Sequence, residues 1–135
     1  MARYLLDTNV LSDLMKNPEG RVAQRVQSLS SDDRVCTSVI VAAELRFGAQ
    51  KRNVLSLTQQ VDELLTVIEI LPLQTDADRH YGTIRAYLEQ HGKGIGGNDM
   101  LIAAQALAEG RTLVTGNTRE FRRVPNLKIE NWLAE

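Results

Sequence analysis

With 135 residues, the chain has room for one domain and little more, so we predict a single domain spanning residues 1–135. Its 43% hydrophobic and 24% charged residues are typical of a globular protein with one core. The net charge of -1 excludes a strongly basic protein, so nucleic-acid binding would have to depend on local clusters of Lys and Arg. No stretch approaches the roughly 20 apolar residues of a membrane span, and the N-terminal apolar run is too short for a signal peptide. We therefore expect a cytoplasmic protein without a membrane partner.

The first half of the chain alternates apolar runs with amphipathic stretches. Short apolar runs closed by turn residues indicate strands, and apolar residues three and four apart indicate helices. The predicted elements are a strand over Tyr4–Leu6, a helix capped by Thr8 or Asn9 and ending at Lys16, a helix over Arg21–Leu29, a strand over Val35–Thr37, and a helix from the cap Ser38 to about Gly48.

The second half continues the alternation. Its predicted elements are a helix over residues 54–68, a strand over Ile68–Leu71, a helix over residues 77–91, a glycine-rich turn over Gly92–Gly97, a helix over Asn98–Glu109, and strands over Thr112–Thr115 and Leu127–Ile129. This order predicts an α/β domain with a mainly parallel central sheet flanked by helices. Sites in such sheets lie at the carboxyl ends of the strands, which places Asp7 and Thr115–Glu120 at the edge of the site.

Three carboxylates stand beside apolar residues. Asp7 follows a strand directly, and Glu44 and Asp99 have apolar neighbours on their helices, including Phe47 for Glu44. A carboxylate in such surroundings is costly unless it is protonated, paired or bound to a cation. Singly, each could form a salt bridge or a helix cap, whereas three together favour a shared cation. Oxygen ligands select a hard ion such as Mg²⁺ or Mn²⁺, which suits phosphoryl chemistry.

Other motifs carry weaker signals. Gly92–Gly97 contains a formal G-x-G-x-x-G, but it follows a helix rather than a strand, so the dinucleotide-binding context fails. His80 and His91 are an alternative acid–base pair for a metal-free ribonuclease, although both positions suit ordinary helix residues. Tyr81 and Tyr87 are more typical of core or surface residues than of base-stacking platforms. Cys36 is the single cysteine, which excludes an intrachain disulfide, and we expect a buried, unreactive thiol.

At four segments the chain resembles PIN domains, and more closely the VapC toxins of bacterial toxin–antitoxin pairs. All four occur in the family's order and together they extend over nearly the whole chain. They are Leu5–Ser12, the helix with Ala43–Leu45, Ile95–Ala104, and Leu113–Phe121.

The resemblance implies a helix-flanked sheet and acidic residues converging on Mg²⁺ or Mn²⁺. It also implies endoribonuclease activity, often on tRNA, in which a metal-activated water hydrolyses a phosphodiester bond. By motif position, Asp7, Glu44 and Asp99 match the first three acidic residues of the family and would be its metal ligands. The fourth position, often Asp, is Asn117, which supplies no charge and leaves a second metal ion open. Glu120 is close enough along the chain to substitute.

Supporting residues and partners complete the prediction. Thr8 and Thr115 are placed to hydrogen-bond the carboxylates or a water, or to cap locally. The resemblance implies an RNA substrate and a VapB-type antitoxin, and the apolar faces of helices such as residues 54–68 favour a homodimer. Two alternatives stay open: a PIN-like module that binds RNA or protein without cleavage, and another Mg²⁺-dependent phosphodiesterase or DNA nuclease.

Overall fold

The structure is a computed structural model that describes residues 1–134. In these residues five strands alternate with seven helices, in the order β1 (Arg3–Leu6), α1 (Thr8–Lys16), α2 (Arg21–Gln27), β2 (Arg34–Ser38), α3 (Val39–Arg52), α4 (Leu55–Val67), β3 (Glu69–Leu71), α5 (Ala77–Gln90), α6 (Gly97–Ala108), β4 (Thr112–Val114), α7 (Thr118–Phe121) and β5 (Ile129–Glu130). The five predicted strands and the six predicted helices are all present, although the last strand covers Ile129–Glu130 rather than Leu127–Ile129. None of the helices in residues 1–134 combines the length and the hydropathy needed to cross a membrane.

The strands form one sheet in the order β3-β2-β1-β4-β5, and every neighbouring pair is parallel. The predicted α/β class with a parallel sheet is confirmed. The chain builds outward from β1 through β2 to β3 and then returns to the other side of β1 for β4 and β5. The strand order therefore reverses between β1 and β4, and in open parallel sheets this is where a crevice forms at the carboxyl ends.

The buried parts of β1 and β4 are mostly apolar because helices cover both faces of a parallel sheet. Leu5, Leu6, Leu113 and Val114 have no exposed surface. Helix α6 packs closely on the sheet and on α5 through a run of buried residues, Ile102–Ala106, that is rich in alanine. This packing fixes the start of α6, where Asp99 lies, relative to β1.

Two local predictions are wrong, and one short helix was missed. The cap of α1 is neither Thr8 nor Asn9, because Asp7 precedes the helix and accepts a hydrogen bond from its first backbone N–H. Helix α3 does not end at Gly48. It continues to Arg52 and ends at Asn53, whose left-handed φ of 55° closes it, since one interior glycine costs a helix only about 1 kcal/mol. The short helix α7 was not predicted.

Candidate active site

Asp7 directly follows β1 and is 5% exposed. Its Oδ1 accepts a hydrogen bond from the Thr8 backbone N–H at 2.8 Å, and its Oδ2 accepts one from Thr115 Oγ1 at 2.8 Å. Burial raises the pKa of Asp7, the two hydrogen bonds oppose the rise, and the charge of Glu44 adds to it. The carboxylate is thus held in one orientation, in surroundings that favour a cation over free negative charge.

Glu44 reaches the same region from α3. That helix starts immediately after β2, which neighbours β1, and Ser38 caps it by accepting from the Ile40 N–H at 3.0 Å, as predicted. Thr8 Oγ1 donates to Glu44 Oε1 at 2.7 Å. The apolar stripe expected around Glu44 is only partly present, because Phe47 is 67% exposed. Glu44 is half-buried by its approach to α1 rather than by an apolar helix face.

Asp99 lies in the first turn of α6 and is half-buried. Burial, followed by the charges of Asp7, Glu44 and Glu120, raises its pKa to about 6. Within residues 1–134 its carboxylate accepts no hydrogen bond and forms no ion pair. The nearby carboxylates therefore act on Asp99 without any compensating donor from the chain.

The segment after β4 closes the site. Thr115 is fully buried, donates to Asp7 as described, and accepts a hydrogen bond from the Asn117 N–H at 3.0 Å. The amide nitrogen of Asn117 donates to Glu120 Oε2 at 3.2 Å, so these two residues form a unit. The hydrogen bonds predicted for Thr8 and Thr115 are present. What the sequence did not reveal is Asn9, whose Oδ1 accepts from the Gly116 N–H at 3.1 Å and ties α1 to this segment.

The oxygen donors at the site are of the type that a hard cation binds, but they are not arranged as a complete set of ligands. In the described part of the chain, no three acidic, histidine or cysteine side chains lie close enough together to hold one ion as they stand. Mg²⁺ is commonly held by only one or two carboxylates together with waters. Asp99, with no partner of its own, and the oriented carboxylate of Asp7 can supply that set.

The alternative nucleophiles and bases lie elsewhere. Cys36 is buried, as predicted; burial raises the pKa of its thiol to about 11, and its Sγ contacts the Tyr4 carbonyl oxygen at 3.2 Å. His91 is exposed at the end of α5 and its ring stacks on Tyr87. A thiol that stays protonated at neutral pH does not serve as a nucleophile.

Comparison with known proteins agrees with this arrangement. Residues 4–127 match the sequence profile of the family described as PIN domain. The chain belongs to the PIN-domain family. Ribonuclease VapC2 of Rickettsia felis is 38% identical over 130 residues, which are 96% of this chain and 97% of that protein. The tRNA(fMet)-specific endonuclease VapC of Salmonella typhimurium is 36% identical over 137 residues, 98% of this chain and 99% of its own length.

A solved structure leads to the same family. The crystal structure of VapBC2 from Rickettsia felis, bound to a DNA fragment from their promoter, matches with a TM-score of 0.90 and 37% identity. The match covers 96% of this chain and 98% of that one. The resemblance to VapC proteins read from the four motifs is confirmed, and this PIN domain groups with the VapC ribonucleases.

Proposed function

We propose that this VapC-family chain is the ribonuclease toxin of a VapBC-type pair and hydrolyses RNA phosphodiester bonds with Mg²⁺ or Mn²⁺ held by Asp7, Asp99 and Glu44, the last of these directly or through a water. A bound divalent ion would stabilise charge on the scissile phosphate and lower the pKa of a coordinated water. The chain's own residues prepare the site. Thr115 orients Asp7, and Thr8 orients Glu44.

The observation that carries the proposal is the state of Asp99. A half-buried carboxylate that faces the charges of Asp7 and Glu44, with no donor or cation from residues 1–134, is unfavourable by itself. A divalent cation removes the repulsion and keeps the carboxylates ionised. Glu120, which accepts a hydrogen bond from Asn117, adds a further negative charge beside the fourth position, where the family often has Asp.

We propose tRNA as the substrate class. The support is the printed activity of the Salmonella typhimurium relative, a tRNA(fMet)-specific endonuclease that aligns over 98% of this chain. Purified protein should cut tRNA in Mg²⁺ or Mn²⁺, stop in EDTA, and resume when the ion is restored. Cleavage that persists in EDTA would remove the metal-dependent mechanism. A protein that binds tRNA in Mg²⁺ but never cuts any RNA would favour a non-cleaving module.

Substitutions at the fourth position test how many acids the site uses. Asn117→Asp places a negative charge beside Glu120 and should strengthen Mn²⁺ binding, measured by calorimetry, if this position belongs to the metal site. The control is Asp32→Asn, which removes an exposed carboxylate at the end of the sheet opposite Asp7 and should leave Mn²⁺ binding unchanged. Unchanged affinity in Asn117→Asp would limit the ligands to the first three acids.

We also propose a VapB-type antitoxin and a homodimer. The solved structure of the VapBC2 relative contains both members of that pair. An antitoxin that covers an acidic site should place an Arg or Lys beside Asp7 and Asp99, since bidentate Arg–carboxylate contacts are strong. Co-expression with a cognate VapB-type protein should relieve growth arrest. Exposed apolar residues on α4, Leu55 at 72% and Val67 at 82%, support self-association, and a monomer mass by light scattering would refute it.

A further inference from the structure

Helix α5 ends in a pair of stacked, solvent-facing rings. The centroids of Tyr87 and His91 are 4.1 Å apart with an interplanar angle of 29°. Tyr87 is 38% exposed and His91 is exposed. The ring of His91 is further held by a hydrogen bond between its Nδ1 and the Tyr87 carbonyl oxygen at 2.8 Å. The two rings therefore form a flat surface that is partly open to solvent.

The pair lies at the same end of the molecule as the carboxylates. Helices α5 and α6 pack together as a hairpin, so the end of α5 is next to the start of α6, where Asp99 lies. The loop between them ends at Gly96, where a Cβ would lie 3.7 Å from Asp99 Oδ2. Gly96 is five positions after His91, a contour of at most about 18 Å. A few nucleotides of an extended strand span this distance.

Positive charge lies between the rings and the site. Lys93 is exposed on the loop, and the guanidinium of Arg123 donates to the Gly94 carbonyl oxygen at 3.0 Å. Neither residue has a carboxylate partner among residues 1–134, unlike Arg111, which pairs with Glu109 at 2.9 Å. A guanidinium has five N–H donors, so Arg123 keeps four for a ligand. Two cations without carboxylate partners, next to an acidic site, suit an anionic ligand that continues past it.

We propose that these residues bind the single-stranded RNA on one side of the cleavage site, with a base stacked on Tyr87 and phosphates on Lys93 and Arg123. The inference rests on the proposed ribonuclease function. Stacking on an aromatic ring accepts any base, and phosphate contacts are independent of sequence, so this surface gives affinity and direction to the strand rather than choosing the RNA. The stacked His91 serves to keep the Tyr87 ring in place.

Binding of a labelled single-stranded oligoadenylate tests the base contact by fluorescence anisotropy, in EDTA, with the oligomer checked to be intact on a denaturing gel. Tyr87→Ala should weaken binding about five-fold or more, and Tyr87→Phe, which keeps the ring, should bind within about two-fold of the unsubstituted chain. Leu73→Ala is the matched control. It removes an apolar side chain that is 39% exposed, close to the exposure of Tyr87, on the loop before α5, at the other end of that helix from Tyr87.

An oligomer of ribose phosphates without bases separates the two kinds of contact. Its binding should be insensitive to Tyr87→Ala and should weaken in Lys93→Gln, which should also reduce the slope of log affinity against log salt by about 0.7. Lys128→Gln, on an exposed lysine before β5 at the opposite end of the sheet, should change neither. Equal losses for both oligomers in Tyr87→Ala would overturn the stacking contact.

Cleavage of tRNA distinguishes this inference from the proposed function. Tyr87→Ala should raise KM at least about five-fold with kcat nearly unchanged, since it removes binding that substrate and transition state share. If Asp99→Asn still cleaves, the proposed function fails while the oligomer results stand. If Asp99→Asn is inactive and Tyr87→Ala keeps the original affinity and KM, this inference alone is overturned.

Discussion

Replacing Asp99 by Asn should stabilise the metal-free protein. The folded-state pKa of Asp99 is raised from 3.8 to about 6, so the folded state binds its proton more tightly than the unfolded chain does. Stability is then lost as the pH rises from the unfolded to the folded pKa. A shift of about two units corresponds to roughly 3 kcal/mol at most, and because Asp99 is only half-buried, water reduces this to about 1–2 kcal/mol. Asparagine keeps the shape and removes the charge.

Urea unfolding in EDTA measures the effect. At neutral pH, Asp99→Asn should raise the free energy of unfolding by about 1–2 kcal/mol, and the difference should vanish below about pH 3, where the carboxyl group is protonated in both states. Saturating Mg²⁺ should reverse the order, because an ion held about 100-fold above its Kd adds roughly 2.7 kcal/mol to the protein that binds it. Asp32→Asn, at an exposed position, should change stability by less than about 0.5 kcal/mol in either condition. A destabilised Asp99→Asn protein in EDTA at neutral pH would refute the reasoning.

Three further substitutions address the support of the site and the fold. Thr115→Val removes the donor to Asp7 and the acceptor for the Asn117 N–H, so it should cost about 1–3 kcal/mol in urea unfolding and weaken Mn²⁺ binding; undiminished metal affinity would contradict its orienting role. Gly82→Ala, inside α5 with nothing within 4 Å of the new Cβ, should stabilise by about 0.5–1 kcal/mol, whereas Gly110→Ala, at a φ of +64°, should destabilise; thermal unfolding of the two side by side checks the opposite signs. Trp132→Ala removes a ring that is 6% exposed and packs edge-on against β1, and should cost about 3 kcal/mol; a loss below about 1 kcal/mol would mean that the tail does not anchor the sheet.

The parallel sheet and its helices could be predicted because their signals are local. Apolar runs and three-and-four spacing depend only on neighbouring residues, and they located β1 through β4 and the longer helices. The helix boundaries were harder to predict because several neighbouring residues can form each cap. Asp7 rather than Thr8 caps α1, and Asn53 rather than Gly48 adopts the left-handed conformation that ends α3.

The sequence predicted which residues lie at the candidate site, but it did not predict all of the contacts between them. Position at strand ends and apolar surroundings selected Asp7 and Asp99, and the pairing of Thr8 and Thr115 with carboxylates followed from their places in the motifs. The contact between Asn9 and Gly116 joins residues 107 positions apart, and no periodic pattern in one sequence encodes such a contact. The exposure of Phe47 shows the same limit, because an apolar residue on a helix does not reveal which face is covered.

The pairing of β1 with β4 has a consequence for how the protein is made. The hydrogen bond between Thr115 and Asp7 spans 108 positions, and the strand that carries Thr115 to the site begins only at Thr112. A growing chain that has not yet released this strand from the ribosome has one side of β1 unpaired and Asp7 without its orienting hydroxyl. The complete arrangement of side chains around Asp7 can therefore form only after nearly the whole chain has been translated.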